Sequence, residues 1–336
     1  MKHSLIPTEG NWYKANLHCH TTCSDGKLTP EEVKERYRSQ GYSVIAFSDH
    51  NKIIDHSDLN DENFLALTAF EVDFSGKDSD LTWNANKQVH INMIAPRADE
   101  DRIVAARLRD DGTFDEVKAI LPPQKYVCNS RFINKIVSAA VDNGYLTTLN
   151  HPAWSNLDYE DYAYLEKLWG VEVDNGGCRV IGRPDNADVL TKMLRAYQRD
   201  IYPISADDNH SAFPLDHPRC SNCRAWVNVR AEKLDYTSIF EALKRGDFYS
   251  SAGPEIYECY YDDEECAIHI KGSPAAAIFV NSDGIAGNQA YPEHMGETIT
   301  EAVLPVRQDI GFEFIRVTVI DERGNRAHTK AFWLKK

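Results

Sequence analysis

Nine residues able to ligate a metal recur along the first two thirds of the chain: His18, His20, Asp25, His50, Glu71, His90, His151, Asp208 and His210. The densest stretch, "LHCHTTCSDG" from Leu17 to Gly26, holds two histidines, two cysteines and an aspartate. Taken alone it admits a zinc knuckle, a redox pair or the first part of a metal cluster completed from elsewhere. Imidazole and carboxylate donors together suit zinc, manganese or iron, and a donor set without thiolate does not select the softest ions. The chemistry such ions supply is activation of water and stabilisation of charge on substrate oxygens.

The elements carrying these residues place them alike. His18 and His20 are two apart on the strand-like "YKANLHCH", so both share one face and Cys19 takes the other. His50 closes "YSVIAFSDH", a short apolar run of the kind a buried parallel strand shows. Glu71 is expected at the end of a strand, on the face of Leu65, Leu67 and Ala69. His90 lies in "QVHIN", His151 follows "YLTTLN", and Asp208 and His210 follow "IYPISA". Asp208 is preferred to Asp207 because the D-x-H spacing puts both ligands on one side of an extended segment. In a barrel of parallel strands such positions converge on one mouth. His3, His56, His217, His269, His294 and His328 show no such placement and are expected at the surface.

Between these strands the pattern is helical. "LTPEEVKERYRSQG" has Thr29 as N-cap, Pro30 at the first helical position, acids in the first turn and Gly41 as a stop. "SRFINKIVSAAVDNGY", Tyr159 to Trp169, Ala187 to Arg199 and Tyr236 to Arg245 read as further helices. Repeated βα units imply parallel strands with crossover helices, in an open sheet or a barrel. After "GDFYSSAGP" only short alternating strands remain, which read as a small antiparallel sandwich. The expected division is residues 1–253 and 254–336. The charged stretch from Arg97 to Lys125 reads as an irregular insertion over one end of the first unit.

Bulk properties narrow the function. The 336 residues are 42% hydrophobic and carry a formal net charge of −15, which disfavours non-specific nucleic-acid binding. No apolar run approaches the roughly 20 residues that span a bilayer, so no membrane partner is expected. The N-terminal stretch lacks the apolar core of a signal peptide, which points to the cytoplasm. In that compartment the eight cysteines are expected to be reduced. "CSNC" (Cys220, Cys223) has no second cysteine pair at the spacing a zinc site needs.

"HCHTTCSDG", "FSDH", the isolated Glu71 and His90, "NHP" and "DNH", in this order, resemble the PHP (polymerase and histidinol phosphatase) superfamily of metal-dependent phosphoesterases. The resemblance runs from about Tyr13 to His210. It implies an α/β fold, a distorted (β/α)7 TIM-like barrel holding two or three divalent metal ions. The β-rich tail is similar to that of two-domain members, whose relatives include carbamate hydrolases. The resemblance further implies that His18, His20, Glu71 and Asp208 hold one metal, and Asp25, His50 and His210 a second. A third would lie between Glu71, His90 and His151. Asp25 stands where some relatives have histidine.

Three divalent ions carry +6; Asp25, Glu71, Asp208 and one hydroxide leave about +2, which matches a phosphate dianion. The expected activity is therefore hydrolysis of a small-molecule phosphoester by a hydroxide bridging the metals. Glu71 and Asp208 are the catalytic carboxylates, with Asp208 or a nearby imidazole protonating the leaving group. With two metals the site is near neutral, and a carbamate, ester or amide carbonyl is the alternative substrate. A non-catalytic metal-stabilised binding module is the other. Arg131 at a helix start, Arg183 in "CRVIGRP" and Trp154 after "HPA" are the candidate substrate contacts.

Overall fold

The computed structural model describes residues 1–75, 87–100, 130–183, 186–196, 201–285, 287–307, 309 and 311–334, and the backbone of 104–108 and 114–118. In chain order the first elements are β1 (Lys2–Ser4), β2 (Asn11–Asn16), α1 (Pro30–Arg38), β3 (Val44–Phe47), β4 (Leu65–Ser75) and β5 (Gln88–Ile94). They are followed by β6 (Val104–Leu108), β7 (Phe114–Lys118), α2 (Ser130–Asp142), β8 (Leu146–Leu149), α3 (Tyr159–Tyr162) and β9 (Gly170–Asn175). Next come α4 (Gly176–Val180), α5 (Ala187–Arg195), β10 (Tyr202–Ala206), β11 (Trp226–Ala231), α6 (Tyr236–Arg245) and β12 (Phe248–Ser251).

Helix α1 starts as its sequence requires. The Thr29 hydroxyl accepts from the Glu32 amide while the Glu32 carboxylate accepts from the Thr29 amide. Such a reciprocal cap contributes about 1 kcal/mol. The helix covers an outer core in which Val33 and Tyr37 meet Cys19, Ile45 and Phe47.

The strands form one run in the order β10-β9-β8-β5-β4-β3-β2. Its two ends meet: the Asp208 amide donates to the His18 carbonyl at 3.0 Å, and the His20 amide to the Asn209 carbonyl at 3.1 Å. Four pairings are parallel, but β5 is antiparallel to both β4 and β8. Uniform βα alternation is therefore not what the chain builds. Only a 3-10 turn (Ser57–Leu59) lies between β3 and β4. The reversal of β5 brings its beginning, rather than its end, to the mouth where its neighbours finish.

Inside this run the side chains change character along the strand axis. One inner row runs Leu65, Leu67, Ala69, Glu71, and another Ile204, Ala206, Asp208; the apolar members share a core with Ala15, Leu17, Val44 and Ala46. The period of two that buries the apolar residues is what carries the last member of each row into the ionisable end. Glu71 is thus in the middle of β4, not at its end, because the strand continues as far as Ser75 to pair with β5.

The remaining strands are β13 (Ile256–Asp262), β14 (Ala267–Ala275), β15 (Ala277–Ser282), β16 (Asn288–Ala290), β17 (Ile299–Pro305), β18 (Phe314–Ile320), β19 (Arg326–His328) and β20 (Phe332–Trp333). One set, β1-β13-β14-β17, is a separate antiparallel sheet. The other continues the large sheet from β2 through β11-β12-β19-β18-β15-β16. Ile256, Ile268 and Ile270 from the first set share a core with Ile278, Val317 and Val319 from the second, and Leu5 and Ile6 join it. The N-terminal residues thus pack with the tail.

Three expectations need correction. The Tyr159–Trp169 helix is the single turn α3, and Lys167 has a left-handed backbone (φ 59°) that ends any continuation. Within the Arg97 to Lys125 stretch, β6 and β7 pair as an antiparallel hairpin, and the rest lies largely outside the described residues. His328 is 1% exposed, not at the surface. Its ring sits 3.1 Å from the Thr318 hydroxyl and 3.4 Å from the Arg316 guanidinium. Burial, with Arg316 and Arg326 adding to it, holds its pKa well below the ordinary value.

This makes His328 a stability determinant with a definite sign. Below pH of about 6.5 the unfolded chain takes up a proton there and the folded chain does not, so stability falls by about 1.4 kcal/mol per pH unit. Urea unfolding at pH 7.5 and 5.5 is expected to show a steeper loss for the wild type than for His328→Gln. Parallel losses would refute the assignment.

Candidate metal centre

The nine ligand-type side chains meet at the mouth. His18 Nε2 lies 3.1 Å from His20 Nε2, 3.3 Å from Glu71 Oε1 and 3.2 Å from Asp208 Oδ1. His20 Nε2 is 3.3 Å from Glu71 Oε2 and 3.2 Å from Asp208 Oδ1. Four donors on a tetrahedron about 2.0–2.1 Å from a zinc-like ion stand about 3.3–3.4 Å apart. His18 Nε2, His20 Nε2 and Asp208 Oδ1 stand at or just below that spacing from one another, and Glu71 presents one oxygen to each imidazole.

Around it are two further sets. Glu71 lies 3.1 Å from His50 Nδ1, 3.0 Å from His90 Nδ1 and 3.5 Å from His151 Nε2. Asp25 lies 3.2 Å from His210 Nε2, 3.9 Å from His50 Nε2 and 3.6 Å from His20 Nδ1. Among the nine, the groups whose donor atoms could share one ion are therefore His18, His20 and Glu71; His18, His151 and Asp208; His50, Glu71 and His90; and His20, Asp25, His50 and His210, while Cys23, Asp49 and His56 form a separate group beside them. His20 bridges two of these through its two ring nitrogens, which the linear order of the motifs does not reveal.

The residues present fit metal ions on an observation of the fold itself. His50 Nδ1 and His90 Nε2 are buried without a hydrogen-bond partner among the described residues. His50 Nδ1 nevertheless sits 3.1 Å from a carboxylate oxygen. Facing imidazole nitrogens at 3.1 Å can carry at most one proton between them, and a cation held by both His18 and His20 would take that proton's place.

The electrostatics agree. Burial lowers the pKa values of His18, His20 and His90, yet the facing carboxylates overcome it. His18 rises well above its ordinary value beside Asp208, Glu71 and Glu172; His20 rises to about 9 beside Asp208 and Glu71, and His90 to about 10 beside Glu71 and Asp73. Burial pushes Glu71 and Asp208 up, but the imidazoles hold both well below the usual carboxylate range. A cluster that draws protons onto buried imidazoles is one whose acids demand cations, and metal binding would displace those protons.

Backbone geometry is specialised at the same place. His151 (φ 28°) and Asp208 (φ 49°), with neighbours Asn51 and Ser211, have positive φ, a costly state for most residues. Gly26 holds the Asp25 loop against the segment that follows β2: a Cβ there would lie 2.6 Å from the His20 carbonyl oxygen.

Glu172 is a residue that spacing of the histidines did not point to. Its Oε1 lies 2.7 Å from His18 Nδ1, and its Oε2 accepts both the His151 amide and the Asn175 side-chain amide at 2.8 Å. The signal was present in "GVEVDN", where Val171 and Val173 face the outer core and Glu172 falls on the inner face. Partners of this kind fix the ligating tautomer, and losing one costs roughly 10–100-fold in metal affinity. Glu172→Gln is expected to show that loss in a chelator-competition titration while keeping its fold; unchanged affinity would refute the role.

Asp49 and Asp207 support the centre without joining it. Asp49 accepts from the Thr21 amide and hydroxyl and from Ser24. Asp207 accepts from the Tyr37 hydroxyl and the amides of Cys223, Arg224 and Ala225. Cys19 is buried in the outer core under α1, and no described cysteine forms a disulfide.

Of the three expected substrate contacts, Trp154 reaches the centre, with its ring 4.8 Å from His151 and 5.6 Å from His90. It also lines a pocket of about 240 Å³ with Asp208, His210, Ile181, Phe213 and Arg219. Arg131 and Arg183 are exposed and do not line that pocket; Arg219, stacked 4.8 Å over Phe213, does.

No family model matches the chain. Among solved structures, a two-domain protein from Bacteroides vulgatus containing a predicted PHP-like metal-dependent phosphoesterase is 15% identical, with a TM-score of 0.46 and coverage of 98% of both chains. The chain is similar to this PHP-type two-domain protein. An amidohydrolase from Chromobacterium violaceum is 16% identical over 58% of this chain and 87% of its own, with a TM-score of 0.38. A curated 5'-3' exoribonuclease from Haemophilus influenzae is 29% identical over 136 residues, 39% of this chain. The match spans 43% of that protein's length. No described helix is long and apolar enough to cross a membrane.

Proposed function

We propose that the chain is a metal-dependent phosphoesterase acting on a small phosphorylated molecule, with the ligand sets above holding two or three divalent ions. The run of seven strands is read as a distorted barrel, and the tail with β1 as a sandwich whose chain boundary lies near 253/254. The observation that carries the reading is the convergence of two buried imidazoles on two carboxylates, with Nε2 of His18 and of His20 each 3.2–3.3 Å from Glu71 and Asp208 and 3.1 Å from one another. When bound, the ions supply a hydroxide nucleophile near neutral pH and neutralise charge on the substrate oxygens.

The protein's own groups do the rest. Glu71, in reach of five imidazoles, fixes the spacing of the whole centre. Asp208, 3.2 Å from both His18 and His20, is the carboxylate that would hand a proton to the leaving-group oxygen. Trp154 and Phe213 wall the leaving group off from water, and Arg219 is placed to meet an anionic substrate. Arg219 at the pocket favours a phosphoester over an uncharged carbamate or ester.

The deciding experiment is turnover of p-nitrophenyl phosphate against p-nitrophenyl acetate and a carbamate ester, with protein loaded with manganese, zinc or iron. Phosphate release is expected. Turnover of the carbamate alone, under every metal, would overturn the phosphoester reading.

A further inference from the structure

Beyond the centre, a cleft of about 740 Å³ opens beside α4, where strands of the tail come against the first unit. Arg179 enters it from α4, Arg224 from the loop before β11, and Arg323 and Asn325 from the turn before β19. Val180 lines both this cleft and the pocket at Asp208 and His210, so the two adjoin at that residue.

Three arginines on one cleft reverse the local charge of a chain whose net charge is −15. Asp321 and Glu322 share the lining, but the Asp321 carboxylate is engaged by the amides of Arg323 and Asn325 and by the Asn325 side chain. Arg179 is fixed in place: it donates to the Asn325 side-chain oxygen and, at 3.4 Å, to the Arg224 carbonyl, and lies 3.6 Å from Asp174. Arg224 donates Nε to the Cys220 carbonyl at 3.0 Å. Among the described residues its two terminal nitrogens have no protein partner, and neither Arg224 nor Arg323 has a carboxylate within 4.0 Å. Arg224 is thus an anchored guanidinium with its paired terminal donors unused, the geometry an oxyanion takes, and the exposed Arg323 adds a second positive charge to the same cleft.

We infer that this cleft receives a second oxyanion of the substrate, a phosphate or carboxylate, separated from the scissile phosphoester by an apolar spacer lying along Val180, Ile181 and Phe213. The inference rests on the phosphoester reading above. It makes the tail part of substrate selection, through Arg323 and Asn325.

The test uses straight-chain diol monophosphates of three to eight carbons, the matching bisphosphates and the matching phosphorylated hydroxy acids. At one or more chain lengths, kcat/KM for a doubly anionic substrate is expected to exceed that of the monophosphate at least tenfold. The Arg224→Ala/Arg323→Ala double variant should remove that advantage and leave p-nitrophenyl phosphate turnover within twofold. The two acid arms separate phosphate from carboxylate as the preferred group. An advantage below twofold at every length, or one that survives in the double variant, would overturn the inference. Calorimetric titration of the metal-free protein with the same bisphosphates reads the cleft without catalysis: the double variant should bind at least tenfold more weakly, and equal binding refutes the subsite. If no monoester is turned over with any metal, the phosphoester reading is what fails, and the titration still decides whether the cleft holds oxyanions.

Discussion

Glu71→Gln is expected to strip the centre of metal and to lower phosphoester turnover by roughly 10²–10⁴-fold. The side chain is 1% exposed and meets His18, His20, His50, His90 and His151 at 3.0–3.5 Å. Its carboxylate is the negative charge common to two of the donor groups. An amide of the same shape keeps the packing and removes that charge, leaving the positive charge of the centre uncompensated in a buried site. Breaking such a buried pair costs about 3–5 kcal/mol, and each 1.4 kcal/mol is tenfold in affinity. Elemental analysis after gel filtration, together with p-nitrophenyl phosphate kinetics, checks both parts. Full metal content with activity within tenfold of wild type would remove Glu71 from the centre.

Why Glu71 could be found in the sequence, and Glu172 could not, follows from how each is placed. Glu71 ends an unbroken alternating row, Leu65, Leu67, Ala69, and a carboxylate at the next inward position is an anomaly a period of two exposes. Glu172 has the same alternation but only one turn of it, between Gly170 and Asp174, so it reads as one acid among several. The partition of ligands among ions was less legible still. His20 offers Nε2 to Glu71 and Asp208 and Nδ1 to Asp25. Which nitrogen faces which partner depends on ring orientation, which no spacing encodes.

The same distinction holds for the fold. Most strand and helix identities followed from apolar periodicity, because most elements bury one face against a core, whereas the expected Tyr159–Trp169 helix stops after one turn. The direction of β5 did not, since "QVHINMI" is buried at every position and a fully buried strand reads alike both ways. The pairing of β1 with β13 joins residues about 258 apart, and nothing local in "KHS" announces it. Arg219 escaped for a related reason: its value lies in stacking on Phe213 beside a pocket assembled from four separate segments.

Asp208→Asn should separate holding metal from using it. The residue has a left-handed backbone (φ 49°), a region asparagine enters readily, so the substitution leaves the loop intact. The asparagine oxygen can still face His18 and His20, and those imidazoles with Glu71 keep most of the metal. What is lost is the group that carries the proton, and removing a positioned acid–base group lowers kcat by roughly 10²–10⁴-fold. Asp207→Asn is the control on the adjacent residue. Its carboxylate accepts four hydrogen bonds, two at each oxygen, so an amide there must turn a donor toward donors. That costs about 1–3 kcal/mol of stability and should appear as a lower urea midpoint with kcat little changed. Most of the metal retained with kcat collapsed in Asp208→Asn, beside a destabilised but active Asp207→Asn, is the expected pair. Near-normal kcat in Asp208→Asn would move the proton-transfer role elsewhere, with His210, whose pKa is raised by Asp25 and Asp208 against the effect of burial, the next group to test.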